Sequence, residues 1–445
     1  MHGFSTRLTV TEAKQLEQQH GILSVKEDVI YKLHTTRSPD FLGLERTGMM
    51  VPRSITGGDV VVGVVDIGVW PGSKSLDDSG FPPIPESWKA YTAANGPIDE
   101  KLESMSPVDD NGHGTHTATT AAGSKVTGAS FFGFAKGTAR GMAPHARLAV
   151  YKACWVGGCH GSDILAAMEK AITDGVHVLS VSIGGTVSDY TNDFVAFGAF
   201  KVVSHGIFVA CSADNSGPDP ESLSNVAPWL ATVGAGTLDR DFPAYITLGN
   251  GKRFRGVSLY SGKPLSGTLI ELVFISNGTG HVDPVQALDP GLVYDASSDD
   301  YLSFLCALNY SSTSIKMFGG GNYTCGKKFR IQDLNYPSFA VPLLTASSTN
   351  SPTIVEYRRS LTNVGNPATY KVSVTSKVTA VNITVNPQEL IFTKQGEKKV
   401  YTVTFSASSM QSGTKSFARL TWYVLFGPCI RSTGRSNTWK REGTG

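Results

Sequence analysis

Nowhere does the sequence hold eighteen consecutive apolar residues, so no segment has the length and character of a membrane-crossing helix. The N-terminus, Met1-His2-Gly3-Phe4-Ser5, also lacks the apolar stretch of a secretory leader. An excess of one charge is missing too. With 39 basic and 37 acidic side chains the net charge is only +2, so nothing calls for a nucleic-acid partner or an acidic surface. Six scattered cysteines fix no disulfide framework. Cys154, Cys159 and His160 lie together, but no second ligand pair is near in sequence. A local disulfide or two free thiols is therefore the simpler reading, and no metal or other cofactor is called for.

What is present describes a globular chain. Apolar content of 40% against 17% charged excludes disordered and fibrous classes, and 445 residues suggest two or three domains. Residues 1–34 pair a short helical pattern, Thr9 to Gln19, with an alternating apolar run, Ile22 to Val29. This resembles part of a small α/β module too short to bury its own core. From residue 59 buried strands alternate with helices. The β-branched run Val60–Val65 predicts a central parallel strand, and the stretches at 148–151, 176–181 and 207–210 repeat it. Ser162 to Asp174 predicts an amphipathic helix, with Ser162 as N-cap and Gly175 as its stop. Together they predict a doubly wound α/β sheet. Beyond residue 335 short alternating runs such as Thr369–Val374 and Val400–Phe405 predict a β-sandwich. The stretch from Tyr423 to Gly445 continues no strand and reads as a loose tail.

Three segments carry chemistry. Asp66 follows the Val60–Val65 strand, at the end where α/β folds place their sites, although a lone Asp there is often a structural cap. His113 stands in Asn111-Gly112-His113-Gly114-Thr115-His116-Thr117, ahead of the small-residue run Ala118–Gly123. Glycines on both sides let such a histidine pack closely. The rival reading, a His113/His116 metal pair, lacks the expected Glu and a third ligand. Asn215, in Ala210-Cys211-Ser212-Ala213-Asp214-Asn215-Ser216-Gly217-Pro218, could donate to a developing oxyanion, or be merely a turn residue.

In this order the three segments resemble the Asp, His and oxyanion-Asn motifs of the subtilisin-like serine proteases. Further stretches resemble the plant branch of that family. His34-Thr35-Thr36-Arg37-Ser38-Pro39 is similar to its propeptide junction, and Gly280–Asp283 through Asp295 to the segment after the catalytic Ser. Leu334–Ser338 and Leu361–Gly365 are similar to its fibronectin-type-III-like domain. The resemblance implies an inhibitory propeptide remnant at 1–34, a peptidase domain at 35–305 and a linker at 306–334. A fibronectin-type-III-like domain at 335–422 and a divergent tail at 423–445 would follow. It further implies that Asp66 orients His113 as general base and that Asn215 serves the oxyanion. Ser182-Ile183-Gly184-Gly185 would pair with an extended peptide. The partners implied are peptide or protein substrates and the chain's own propeptide. An extracellular or cell-wall location is implied too, and the four sequons at Asn277, Asn309, Asn322 and Asn382 agree with it.

One station is missing. The family's nucleophile lies in a Gly-Thr-Ser-Met-Ala-type turn opening a buried helix, and no such sequence occurs. Ser266-Gly267-Thr268 precedes no small-residue helix, and Gly278-Thr279-Gly280 has no Ser. Residues 273–276 join abruptly to the stretch that should follow the Ser-bearing helix, so an interior block is expected to be absent. Asp214 also stands where the family usually has Gly, which predicts a strained turn and a charge opposed to an oxyanion. The expectation is a subtilisin-like serine endopeptidase by family whose chain is inactive. The alternatives are a non-catalytic peptide- or protease-binding protein and a product that does not fold.

Overall fold

A strand at the centre of a parallel sheet needs apolar side chains on both faces. In the computed structural model the valine-rich run forms β1 (Val61–Asp66), and all six of its residues are buried. The structure describes residues 60–84, 91–94, 103–131, 134–185, 188–216, 222–236, 243–247, 253–257, 289–320, 323–326, 329–343, 353–376, 380–407 and 417–424, with Ser38, Leu42 and Ala287. Residues 1–34, the expected cleavage junction, the abrupt joint at 273–276, the sequons Asn277 and Asn322, and the tail past 424 lie outside the described residues.

The chain divides into two compact units, residues 1–285 and 286–445. In the first, β1 is followed by β2 (Tyr91–Thr92), α1 (His113–Ala122) and a hairpin of β3 (Val126–Phe131) with β4 (Phe134–Ala139). Then come β5 (Arg147–Lys152), α2 (Gly161–Asp174), β6 (Val178–Val181), α3 (Phe194–Ser204), β7 (Phe208–Ser212) and β8 (Ala231–Val233). An antiparallel pair, β9 (Pro243–Thr247) and β10 (Arg253–Val257), completes the unit's described elements. The sheet order is β2-β5-β1-β6-β7-β8, and every pairing is parallel. The chain leaves β1 for β5 on one side and returns to β6 on the other. A crevice therefore opens at the carboxyl ends of β1 and its neighbours.

Alternate side chains of β1 serve opposite faces. Val62 and Val64 pack with Ala118 and Ala122 of α1 and with Ala146. On the other face Gly63 leaves room for Leu179, Tyr151 and Val176; a Cβ there would stand 2.8 Å from the Leu179 Cδ1. The small residues of α1 let the helix lie close on the sheet. α2 corrects one expectation, because its cap residue is His160 rather than Ser162 and no side chain caps it. The Phe194 ring lies 2.4 Å from where a Cβ of residue 161 would be, so glycine lets the first turn close beneath the ring. Gly175 ends the helix as expected, at φ 69°.

The second unit contains β11 (Leu292–Val293), α4 (Ser298–Ala307), α5 (Ser312–Gly319), β12 (Thr353–Asn363), β13 (Ala368–Ser376), β14 (Val381–Asn386), β15 (Glu389–Phe392), β16 (Lys398–Ala407) and β17 (Ala418–Val424). Two antiparallel sheets, β11-β12-β16-β14 and β15-β13-β17, close on a shared core. One sheet supplies Tyr357, Leu361, Val385, Tyr401, Val403 and Phe405, the other Tyr370, Leu390 and Phe392. Three boundaries differ from the sequence reading. The division falls at 285/286 rather than 305, because β11 pairs with β12. The expected linker holds α5 and the disulfide between Cys306 and Cys325. Tyr423 and Val424, placed in the tail from sequence, pair with Lys371 and Tyr370 as the end of β17. Among the described residues no helix is long and apolar enough to cross a membrane.

Candidate active site

Asp66 is the last residue of β1 and is 2% exposed. A carboxylate so deeply buried must be hydrogen-bonded to remain charged. Its Oδ1 accepts from the Ile67 amide at 2.8 Å and faces Nδ1 of His113 at 2.8 Å. The Thr117 hydroxyl donates to Oδ2 at 3.0 Å. With a proton on Nδ1 donated to Asp66, the lone pair of Nε2 is left for chemistry. The His113 side chain is 55% exposed, and among the described residues its Nε2 has no hydrogen-bond partner.

His113 opens α1, and the local sequence aims it. Gly112 precedes it at φ 106°, a left-handed conformation that favours glycine. Gly114 follows it, and a Cβ there would come within 2.0 Å of the Gly68 carbonyl oxygen and 3.2 Å of Asp66 Oδ1. Only glycine lets α1 approach Asp66 this closely. Asp109 fastens the helix start: its Oδ1 accepts from the Asn111 and Gly112 amides at 2.9 and 2.6 Å. Its Oδ2 accepts from the Thr115 amide at 2.8 Å and the Thr115 hydroxyl at 2.5 Å. Burial opposes the charged form, but the Thr115 hydroxyl and the amides of Gly112, Thr115 and Asn111 outweigh it. They hold the Asp109 carboxyl below the usual carboxylate range.

Below Asp109 the fully buried Lys152 braces the same loop. Its Nζ donates to the carbonyl of Val108 at 2.9 Å and lies 3.3 Å from Asp110 Oδ2. His116, the rival metal ligand, lies on the exposed side of α1, and Cys154 is joined to Cys159 in a disulfide. Among the described residues no three His, Cys, Asp or Glu side chains are grouped to hold a metal ion.

The remaining sequence-read residues follow β6 and β7, the next strands along the sheet. Ser182-Ile183-Gly184-Gly185 leaves the end of β6, and the last three of these residues line a cavity of about 210 Å³ with Ser224, Asn225, Tyr190 and Phe194. Asn215 follows β7, exposed, its backbone N–H donating to Asp214 Oδ1 at 2.6 Å. Asp214 sits at φ 76°, the left-handed conformation expected to strain a non-glycine residue there. Its Oδ2 accepts from the Ser216 hydroxyl at 3.1 Å. Topology thus sets Asp66, the 182–185 edge and the Asn215 turn along the carboxyl edge of β1, β6 and β7. Thr117, Asp109 and Asn225 were missed from sequence. Thr117 lies four residues after His113, on the same helical face, and that spacing was the available signal.

Comparison with known proteins gives the family. The subtilase family model matches residues 57–417, and the peptidase inhibitor I9 model matches residues 1–34. A relative from Arabidopsis thaliana, subtilisin-like protease SBT1.7, is 36% identical over 675 positions, covering 95% of this chain and 88% of its own. Subtilisin-like protease SBT1.3 of the same plant is 48% identical over 313 residues, covering 64% of this chain but only 40% of its own length. The alignment with SBT1.7 is 675 positions long against 445 residues here, so at least 230 positions (675 less 445) have no counterpart in this chain. A solved structure described as S41 psychrophilic protease aligns over 45% of this chain and 58% of its own. Its identity is 21% and its TM-score 0.29, too low to bear on the fold.

Proposed function

The chain belongs to the subtilase family, and from that premise we propose that it is a serine-endopeptidase relative whose acid–base pair is intact and whose nucleophile is absent. The observation that carries this reading is the 2.8 Å contact between His113 Nδ1 and the buried Asp66, beside an Nε2 with no partner among the described residues. In the family's chemistry Asp66 fixes the imidazole tautomer and stabilises the imidazolium. Nε2 takes the serine proton, and the serine oxygen attacks the peptide carbonyl. Without that oxygen the pair has nothing to activate. In subtilisin, loss of the serine alone costs roughly 10⁶ in kcat, about as much as losing the whole triad. The positions of SBT1.7 that lack counterparts here support the loss of an interior block.

The other parts of the reading have separate supports. Residues 1–34 are the C-terminal part of an inhibitory propeptide, supported by the inhibitor-model match. Residues 335–422 form a fibronectin-type-III-like domain, supported by the two-sheet arrangement of the second unit, six of whose seven strands begin in this range. An extracellular or cell-wall location is supported by the exposure of Asn309 and Asn382, both in sequons. A second reading, a non-catalytic binder of peptides or proteases, is favoured by the cavity beside Ile183, Gly184 and Gly185.

Self-maturation tests the principal reading. Cleavage of His34–Thr35 requires a nucleophile to attack the His34 carbonyl, with Asn215 donating to the oxyanion. Chain made in a protease-free translation system should therefore keep residues 1–34 covalently attached, as read by mass spectrometry. A new N-terminus at Thr35, formed at a rate independent of dilution, would mean that a nucleophile exists elsewhere in the chain.

A further inference from the structure

Past the end of a strand pair, nothing in the ladder keeps two chains a fixed distance apart. The β6–β7 register ends at Val181↔Cys211, just before the segments that carry Ile183–Gly185 and Asp214–Asn215. Asn225 stands at that gap. It is 5% exposed, and its Nδ2 donates at 2.8 Å to both the Ile183 carbonyl and the Ser212 carbonyl. Only the NH₂ end of an amide can serve two carbonyls at once, so the chemistry fixes its orientation. The Asn225 backbone carbonyl accepts from the Thr232 hydroxyl on β8. The neighbouring Ser224 amide donates to Ala213 O at 3.3 Å, and a Cβ on Gly184 would meet the Ser224 hydroxyl at 2.9 Å. Asn225 holds φ 54°, a conformation that Asn tolerates and Gly adopts freely.

We infer that Asn225 is a positioning residue: its side-chain amide replaces the missing ladder bonds and sets the spacing between the 183–185 edge and the 213–216 turn. The inference rests on the reading of these segments as the two walls of a peptide groove. Neither segment touches the Asp66–His113 pair through Asn225, so the brace is separate from the acid–base machinery. Other substitutions would add backbone strain at φ 54°. Asn225→Gly removes the amide without adding that strain.

Amide hydrogen exchange of the full chain reads the effect. Asn225→Gly should speed exchange at residues 183–185 and 213–216 together, about tenfold or more, while Val62–Val65 of β1 keep their protection. Thr232→Val, which frees the Asn225 backbone carbonyl and leaves the side-chain amide in place, should speed the same two segments by less. A change in one segment only, or in neither, would overturn the inference. Loss of protection through β1 as well would also overturn it, because the whole sheet would then depend on Asn225. Millimolar peptide of the sequence 27–34, added to the wild-type chain, probes the groove separately. If exchange at 183–185 neither slows with the added peptide nor speeds in a chain lacking residues 27–34, which carries the same segment covalently, the groove reading fails, and the exchange comparison still decides the role of Asn225.

Discussion

Asp66 and Asp109 flank the start of α1 and do different work there. Asp66 holds the ring of His113, whereas Asp109 satisfies amides that the first turn of a helix leaves unpaired. Removing such a cap costs about 0.5–2 kcal/mol. Asp109→Ala should fall at or above the upper end, since four donors lose their acceptor at once. A thermal melt compared with wild type checks this. The pH dependence has a definite sign. A carboxyl held below its usual range contributes stability that is fully present above the unfolded value, near about pH 4, and is lost as pH falls through the lower folded value. Asp109→Ala should therefore flatten the acid limb of stability against pH, and an unchanged acid limb would show that Asp109 does not carry it. Asp214 makes the opposite case. A left-handed conformation costs most L-residues about 1–2 kcal/mol, less for Asp, whose carboxylate here also accepts from Asn215 and Ser216. Asp214→Gly should raise the melting temperature slightly. A fall equivalent to about 1 kcal/mol or more would mean that the carboxylate organises the turn.

At the scale of elements, α1 is held against β1 by the absence of side chains. Gly114→Ala would put a methyl 2.0 Å from Gly68 O, and the helix must retreat. Overpacking of this kind costs about 1–3 kcal/mol. The variant should melt lower, and the nuclear magnetic resonance signals of His113 should shift as its contact with Asp66 lengthens. Unchanged signals would mean that the close approach does not set the pair. Much of this element was legible in the sequence. The valine run announced β1, and the glycines around His113 announced a close approach. What could not be read was long-range. Asn225 reaches Ile183 and Ser212 across 42 and 13 residues, and nothing around it marks those partners. α5 was hidden for a different reason: eight residues give too few turns for a pattern, although Ser311 caps it by accepting from the Ser314 amide. The boundary read at residue 305 differs from the division at 285/286 because β11 is a two-residue strand whose pairing lies about seventy residues away.

On the scale of the whole molecule, large apolar side chains stand exposed in both units, Ile354, Ile391 and Phe417 among them in the second. The sandwich closes two sheets over an aromatic core. Among the described residues β8 ends the sheet of the first unit, and Phe208, Leu223, Val226 and Val233 are 58%, 57%, 45% and 48% exposed. Each large apolar side chain left in water forgoes about 1.5–3 kcal/mol of burial, against a total stability of about 5–15 kcal/mol. With an interior block of the first unit proposed to be absent, calorimetry should show a sharp transition from the second unit, and a weak or absent one from the first, with hydrophobic-dye binding before the main melt. A single cooperative melt without dye binding would contradict this.

The central claim, an acid–base pair with no nucleophile to act through, is tested most directly by a fluorophosphonate probe, which bonds only to an activated serine. Purified full-length chain should remain unlabelled at neutral pH, alongside a labelled active subtilase as control. Stoichiometric labelling that His113→Ala abolishes would contradict the claim, and would place a working serine within reach of His113 Nε2.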